Sequence, residues 1–298
     1  MTAESQTKSA MSDQVKEFLT QFKDTTGSFS YVEQIDQMMS KHLTHIMIDY
    51  NDLVSYPDIE SKFNERPDDI LKAFSKAIGE ILHERFPQYS DKIKKIIRAR
   101  IANYPVQRSL RQIKADVISK MTSVSGMVVR SSEIKPLAQE LTFICPEEHI
   151  TVVNLFQGIS LDSPVQCSTP NCKHKNLGIV PESSRFIDFQ IVRLQELPED
   201  LPPGQLPHYI DVSIKQDLVD NARPGDRIIL TGIVRIEQER ISGVSKNESA
   251  LYRLRIDGNN VEFIGGKGAK SSRRSEREEI SAEEEAFMNG WEEADTLE

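Results

Sequence analysis

The sequence predicts an α+β protein of several subdomains: a small helical subdomain, a small closed β-barrel and a cysteine-rich insertion between two barrel strands. Three observations carry this reading. Apolar residues recur at three- and four-residue spacing from residue 12 to about 90, and the period changes to two from residue 94. All three cysteines, Cys145, Cys167 and Cys172, fall within 28 residues of one another. With 298 residues, 38% of them apolar, the chain is long enough to build two or three modest cores.

The helical part, residues 12–93, follows a disordered start at 1–11. Phe18, Leu19 and Phe22, then Tyr31, Ile35 and Met38, mark two short amphipathic segments. Leu71, Phe74, Ile78, Ile81 and Leu82 mark a longer helix, with Asp68 and Asp69 behind Pro67 as its start and Pro87 as its stop. Between them Thr44–Tyr50 alternates apolar and polar residues, the pattern of a strand.

The barrel takes residues 94–138 and 179–265. Period-two runs lie at Ile97–Ile101, Val124–Val129, Phe186–Leu194, Tyr209–Lys215, Arg227–Gln238, Leu251–Ile256 and Asn260–Ile264. Turn residues such as Pro224-Gly225-Asp226 and Asp257-Gly258-Asn259 separate them. Short antiparallel strands of this kind suit a five-stranded OB-fold barrel, an architecture that binds nucleic acid. The arms 232–238 and 251–257 form a long β-hairpin whose tip, Glu239–Ala250, is too polar for a core.

The insertion, residues 139–178, carries the strongest local chemistry. Cys145-Pro-Glu-Glu-His149, seventeen further residues, and Cys167-Ser-Thr-Pro-Asn-Cys172 supply three thiolates and one imidazole on two knuckles. A structural zinc site uses four such ligands in two pairs, one Zn²⁺ per chain, with no open position for water. Its binding would contribute on the order of 10 kcal/mol. His174 is the rival fourth ligand, one residue removed from Cys172, where sharing the ion brings strain. Thiols without metal are the alternative.

Other chemistry is excluded or faint. No run approaches eighteen apolar residues, and the polar start lacks a signal-peptide pattern, so an intracellular, cytoplasmic protein without a membrane partner is expected. Gly265-Gly266-Lys267-Gly268 fails the phosphate-loop spacing, so no ATP site of that type is expected. His42 and His45 lack a nearby thiol or carboxylate pair, and no catalytic constellation is present, so the chain alone reads as no enzyme. The net charge of −9 is uneven: residues 1–266 hold 32 Lys/Arg against 36 Asp/Glu, a net of −4, which leaves a local basic groove open. Residues 266–298 combine a basic linker with an acidic helix or tail carrying Phe287 and Trp291.

The run Arg111–Arg130 resembles the start of the barrel in the amino-terminal half of the MCM replicative DNA helicases, in particular the archaeal ones. So do Phe186–Glu196, Pro203-Gly-Gln-Leu-Pro207 and Asp217–Gly232, in the family's order, and Ile46–Leu53 resembles its first subdomain. The resemblance implies a hexameric, or double-hexameric, ring collar around single- or double-stranded DNA, nucleoid-associated, with the ATP-dependent AAA+ motor in cis in a full-length protein. It implies DNA contacts at Arg130, Lys135 and Arg193, and at Arg240 and Lys246 on a hairpin aimed into the channel. With 7% aromatic residues, phosphate contact should dominate stacking. Two positions depart from the family's pattern. Three residues separate Cys145 from His149 where C-x-x-C is common, and His208 follows Pro207 where arginine usually couples collar to motor. The competing reading is a stand-alone zinc/OB scaffold or regulatory module for protein partners.

Overall fold

The computed structural model describes residues 3–24, 27–40, 43–87, 97–155, 166–169, 172, 174, 177–238 and 251–265. Helices α1 (Ala3–Gln21) and α2 (Ser30–Ser40) lead to strand β1 (His45–Asp49), then α3 (Tyr50–Leu53), α4 (Pro57–Glu65) and α5 (Pro67–Arg85). Helix α1 thus begins inside the stretch expected to be a disordered start. Helix α5 starts on Pro67 because proline's missing N–H costs nothing at the first helical position, and Asp68 and Asp69 suit the dipole there. Its buried stripe, Ile70, Phe74, Ala77, Ile78, Ile81 and Leu82, follows the 3.6 period and closes on Phe18, Leu19, Tyr31 and Ile35. Phe18 touches Phe22, Tyr31, Tyr56 and Phe74, with ring centroids 5.0–5.9 Å apart.

Strand β2 (Arg98–Ala102) pairs in parallel with β1, His45 opposite Arg98 through Asp49 opposite Ala102. This corrects the expectation that residues 94–102 belong to the barrel. Ile97, Ala99 and Ile101 are buried in the helical cluster, so the first subdomain extends past residue 93. A two-residue period identifies a strand but does not say which sheet takes it.

The larger sheet holds β3 (Gln107–Arg108), β4 (Met121–Ser131), β5 (Lys135–Ile144), β6 (Ile150–Asn154), β7 (Gly178–Ile179), β8 (Arg185–Gln195), β9 (Tyr209–Lys215), β10 (Arg227–Gln238) and β11 (Tyr252–Phe263). It is consistent with an OB-fold: neighbours run β4–β10–β11–β9–β8, and β8 pairs again with β4. Alternate residues, among them Val124, Val128, Val192, Leu194, Val212, Ile214, Leu230, Val234 and Ile256, form one buried cluster inside that circuit. The arms of the β10–β11 hairpin pair from Ile228 opposite Phe263 to Gln238 opposite Tyr252.

Asp257-Gly258-Asn259, expected as a turn, lies inside the single strand β11. The register shifts there, Thr231 facing Asn260 while Gly232 faces Gly258, so Asn259 is the extra residue of a β-bulge. Bulges use the same residue types as turns, which is why the sequence pattern misleads. The bulge has a structural role. Asn259 Oδ1 accepts from the Ile101 N–H at 2.7 Å, its Nδ2 donates to Ala99 O at 2.9 Å, and Arg100 Nη1 donates to the Asn259 carbonyl at 2.8 Å. Asn259 thereby serves as a strand partner for β2 and joins the two parts. Opposite it, a Cβ on Gly232 would stand 2.5 Å from Asp257 O and 2.6 Å from Ile256 Cγ2. Gly232→Ala should therefore cost about 1–3 kcal/mol in urea unfolding, by overpacking.

Ion pairs complete the junction. Arg100, 5% exposed, pairs with Asp217, which also lies 3.0 Å from His45 Nδ1. Arg235 on β10 pairs with Asp68 on α5. Met121 and Ile233 point out of the barrel into the helical cluster.

Candidate metal centre and nucleic-acid interface

The first candidate site grows from the end of β5. Cys145 directly follows the last residue of β5, and the chain turns through Glu148 in the left-handed region (φ 63°). Bonds from the Glu148 N–H to Cys145 O (2.8 Å) and from the Cys145 N–H to His149 O (3.1 Å) close the first knuckle. The second is closed by bonds from the Cys172 N–H to Thr169 O (3.1 Å) and from the Cys167 N–H to His174 O (3.2 Å). The Ser168 N–H donates to Thr151 Oγ1 at 3.1 Å and ties the second knuckle to β6. Strands β6 and β7 both pair with β5, so the insertion extends the sheet.

These turns bring Cys145, His149, Cys167 and Cys172 together, their ligand atoms all within 4.8 Å of one another. His149 Nδ1 lies 3.5 Å from Cys145 Sγ and 3.8 Å from Cys167 Sγ. Tetrahedral zinc with ordinary bond lengths has ligand–ligand edges of about 3.6 to 3.8 Å, so these groups fit such an ion. The Thr169 N–H, with help from its hydroxyl, lowers the Cys167 thiol to about 6, which favours the thiolate a metal requires. Cys172 accepts from the His174 N–H, yet desolvation and the neighbouring sulfurs push it up to about 11. His174 instead faces Glu147, 3.3 Å from Nε2 to Oε1, and with Cys172 these two form a second, more exposed group. The four residues could hold a metal.

The second candidate is a basic strip on the face of the larger sheet that points away from its buried cluster. Arg130 on β4 faces Arg193 on β8, and Lys135 on β5 faces Phe189, four residues earlier on β8. Side chains alternate along a strand, so all three basic groups share one face, and all three are exposed. Arg193 grips Asp211 through two bonds, 2.7 Å from Nε and 2.9 Å from Nη2. That Arg193 fork, then the fields of Arg193, Arg253 and Arg130, hold the Asp211 carboxyl below its usual range. Arg130 and Lys135 make no ion pair among the described residues. Arg193 is thus partly neutralised, while the other two are open to an incoming phosphate. Arg253 was missed at the level of sequence, although Arg253-Leu254-Arg255 alternates as an outward-facing basic strand would. Glu237 takes both of these arginines, at 3.1 and 3.7 Å, and so dilutes the hairpin's charge. Arg240 and Lys246 lie outside the described residues, as do His42 and the 266–298 tail.

The loop at Pro203–Pro207 is tied down by Arg111. Its Nε lies 2.9 and 3.0 Å from the oxygens of buried Glu196, Nη1 reaches Gln205, and Nη2 bonds Leu206 O at 3.0 Å. His208 remains exposed beside it. Among the described residues no helix is long and apolar enough to cross a membrane.

The family model for the MCM N-terminal domain matches residues 12–103, and that for the MCM OB domain matches residues 109–238. The first match ends one residue after β2, where the helical core ends. A minichromosome maintenance protein MCM of Saccharolobus solfataricus is 28% identical over 253 residues, covering 83% of this chain and 36% of its own length. DNA replication licensing factor MCM6 of Oryza sativa subsp. indica is 30% identical over 272 residues, covering 86% of this chain and 32% of itself. DNA replication licensing factor MCM4 of Drosophila melanogaster is 32% identical over 192 residues, covering 64% of this chain and 22% of itself. The chain spans 22–36% of the length of these three relatives. Its two consecutive domain matches, which together take in more than half of the sequence, establish that the chain belongs to the MCM family and carries that family's N-terminal and OB domains.

Proposed function

We propose that this chain is the DNA-gripping, ring-forming collar of an MCM replicative helicase, acting inside the cell in DNA replication. The observation that carries the reading is the exposed strip of Arg130, Arg193 and Lys135 across three adjacent barrel strands. Such a strip neutralises successive phosphates of a single strand without reading its bases. The β4–β10–β11–β9–β8 circuit acts as a five-stranded OB barrel that holds Arg130 and Arg193 at fixed spacing, with Lys135 beside them on β5, the strand paired to β8. The collar assembles as a hexamer or double hexamer, and Arg240 and Lys246 add contacts from the hairpin tip. ATP hydrolysis belongs to an AAA+ motor on the full-length polypeptide.

Cys145, His149, Cys167 and Cys172 hold one zinc, which cross-links the two knuckles and performs no chemistry. Domain bounds follow: a helical subdomain ending after β2, the zinc insertion within 139–178, and the barrel around it.

The test is a titration of labelled single-stranded DNA across a salt series, with sedimentation of the same samples. Each phosphate contact contributes about −0.7 to the log–log salt slope, so the three strip contacts alone predict roughly −2 and the two hairpin contacts take it to roughly −3.5. A salt-independent signal, or none at low salt, would favour the scaffold reading, and monomers at every concentration would remove ring formation by this chain.

A further inference from the structure

A cavity of about 460 Å³ lies where α5 and β2 meet the outer face of β5, β8, β9 and β11. Its volume is that of a small-molecule pocket. Its charge is one-sided. Lys72 and Arg98 approach from the helical part, Arg185 and Arg255 from the sheet. The two carboxylates in its wall are already engaged, Asp257 by Lys215 at 2.8 Å and Asp68 by Arg235. The arginines are not satisfied to the same degree. Among the described residues Arg98 Nε donates to the neutral Gln216 side chain, at 3.1 Å, and makes no ion pair. Arg185 touches Glu140 through Nη2 alone, at 3.8 Å, and its Nε and Nη1 are buried without an acceptor among the described residues. Arg255 reaches Glu237 through Nη1 at 3.7 Å, and its Nε is buried without an acceptor among the described residues. Burial first, then the like charges of Arg100 and Arg185, lower Arg98 from its ordinary value against the pull of Asp257 and Asp217. Leu71, Leu137, Phe189 and Ile233 line the rest of the cavity.

Buried guanidinium nitrogens without acceptors are costly, and an anion with several oxygens could satisfy those of Arg185 and Arg255 together. We infer that this cleft binds the phosphate group of a small molecule, with Arg98, Arg185 and Arg255 on the oxygens and the apolar wall against its body. The occupant bridges the two parts of the chain, since Arg98 comes from the helical part and Arg185 and Arg255 come from the sheet. The cleft lies at the start of β8, at Arg185 to Phe189, away from Arg193 near its end, and its occupancy does not depend on the DNA-binding reading.

The probe is pyrophosphate, titrated calorimetrically into the full chain at constant ionic strength set with chloride, with the melting temperature followed in parallel. Saturable one-to-one binding with a rise in melting temperature is expected. Arg185→Gln with Arg255→Gln should weaken it roughly tenfold or more, the scale of a lost charge-assisted bond. Should that pair not fold, Arg255→Lys alone, which keeps the charge and loses the fork, should give a smaller loss. An Arg130→Ala, Lys135→Ala chain should bind pyrophosphate as the parent does, and pyrophosphate at saturation should not displace labelled single-stranded DNA. Absence of saturable heat, unchanged affinity in the arginine variants, or displacement of DNA would each overturn the inference, the last by assigning the cleft to the DNA backbone.

Discussion

Cys167→Ser should release the metal and unfold the β5–β7 extension while leaving the barrel intact. The chain is expected to carry one zinc, and the variant well under half of one, by elemental analysis of dialysed protein. The effect is large because zinc binding at such a site contributes on the order of 10 kcal/mol, and little else holds the insertion. Ile144, Ile150, Val152 and Ile179 around the knuckles are exposed while Phe143, Thr151 and two of the cysteines are buried, so burial supports that segment from one face alone. The barrel's cluster contains none of the cysteines. Hydrogen exchange should therefore accelerate at Phe143–Asn154 and stay slow at Val124, Val212 and Leu230. Zinc near zero in the parent chain would contradict the assignment of these four residues.

Asp217→Ala should cost about 3–5 kcal/mol, because it strands the Arg100 guanidinium, 5% exposed, between the two parts of the chain. Replacing both partners with apolar residues of similar volume should recover much of the loss, which separates the cost of an orphaned charge from the worth of the pair. Urea unfolding measures both. The same carboxylate gives a pH dependence. Burial raises its pKa, but the bond to His45 and the charge of Arg100 outweigh that and lower it from 3.8 to about 2. A folded-state pKa below the unfolded one means stability fully present above about pH 4 and lost as pH falls toward 2, roughly 2 kcal/mol for this group. A chain whose unfolding free energy is flat over that range, or an Asp217→Ala protein as stable as the parent, would show that the pair does not hold the junction.

How far these elements could be read from residues alone depended on the range of the interactions behind them. Helix α5 follows from local rules: Pro67 at its start, a 3.6-residue apolar stripe, and Pro87 beyond its end. The grouping of Cys145, His149, Cys167 and Cys172 also follows from local spacing, because two knuckles of three and four intervening residues bring their ligand atoms within 4.8 Å of one another. Strand β2 is different. Its alternation was visible, yet only the buried pairing with β1 and the docking of Asn259 assign it to the helical part. The β11 bulge was hidden for the same reason, since glycine and asparagine mark turns and bulges alike. Arg193, expected as a DNA contact, is gripped by Asp211 eighteen residues on, a pairing across two strands that local spacing does not contain. The arginine cleft joins residues 98, 185 and 255, a convergence that no window of sequence contains.

The measurement that bears most directly on the DNA-gripping collar is fluorescence anisotropy of labelled single-stranded DNA at two salt concentrations, parent against Arg130→Ala, Lys135→Ala. Both side chains are exposed and outside the buried clusters, so folding should be unaffected. Tight, salt-sensitive binding by the parent, with a variant weaker at low salt and shallower in log–log slope by about 1.4, two contacts at 0.7 each, is the predicted result. Equal binding and equal slope for the two proteins would place the DNA elsewhere and contradict the account.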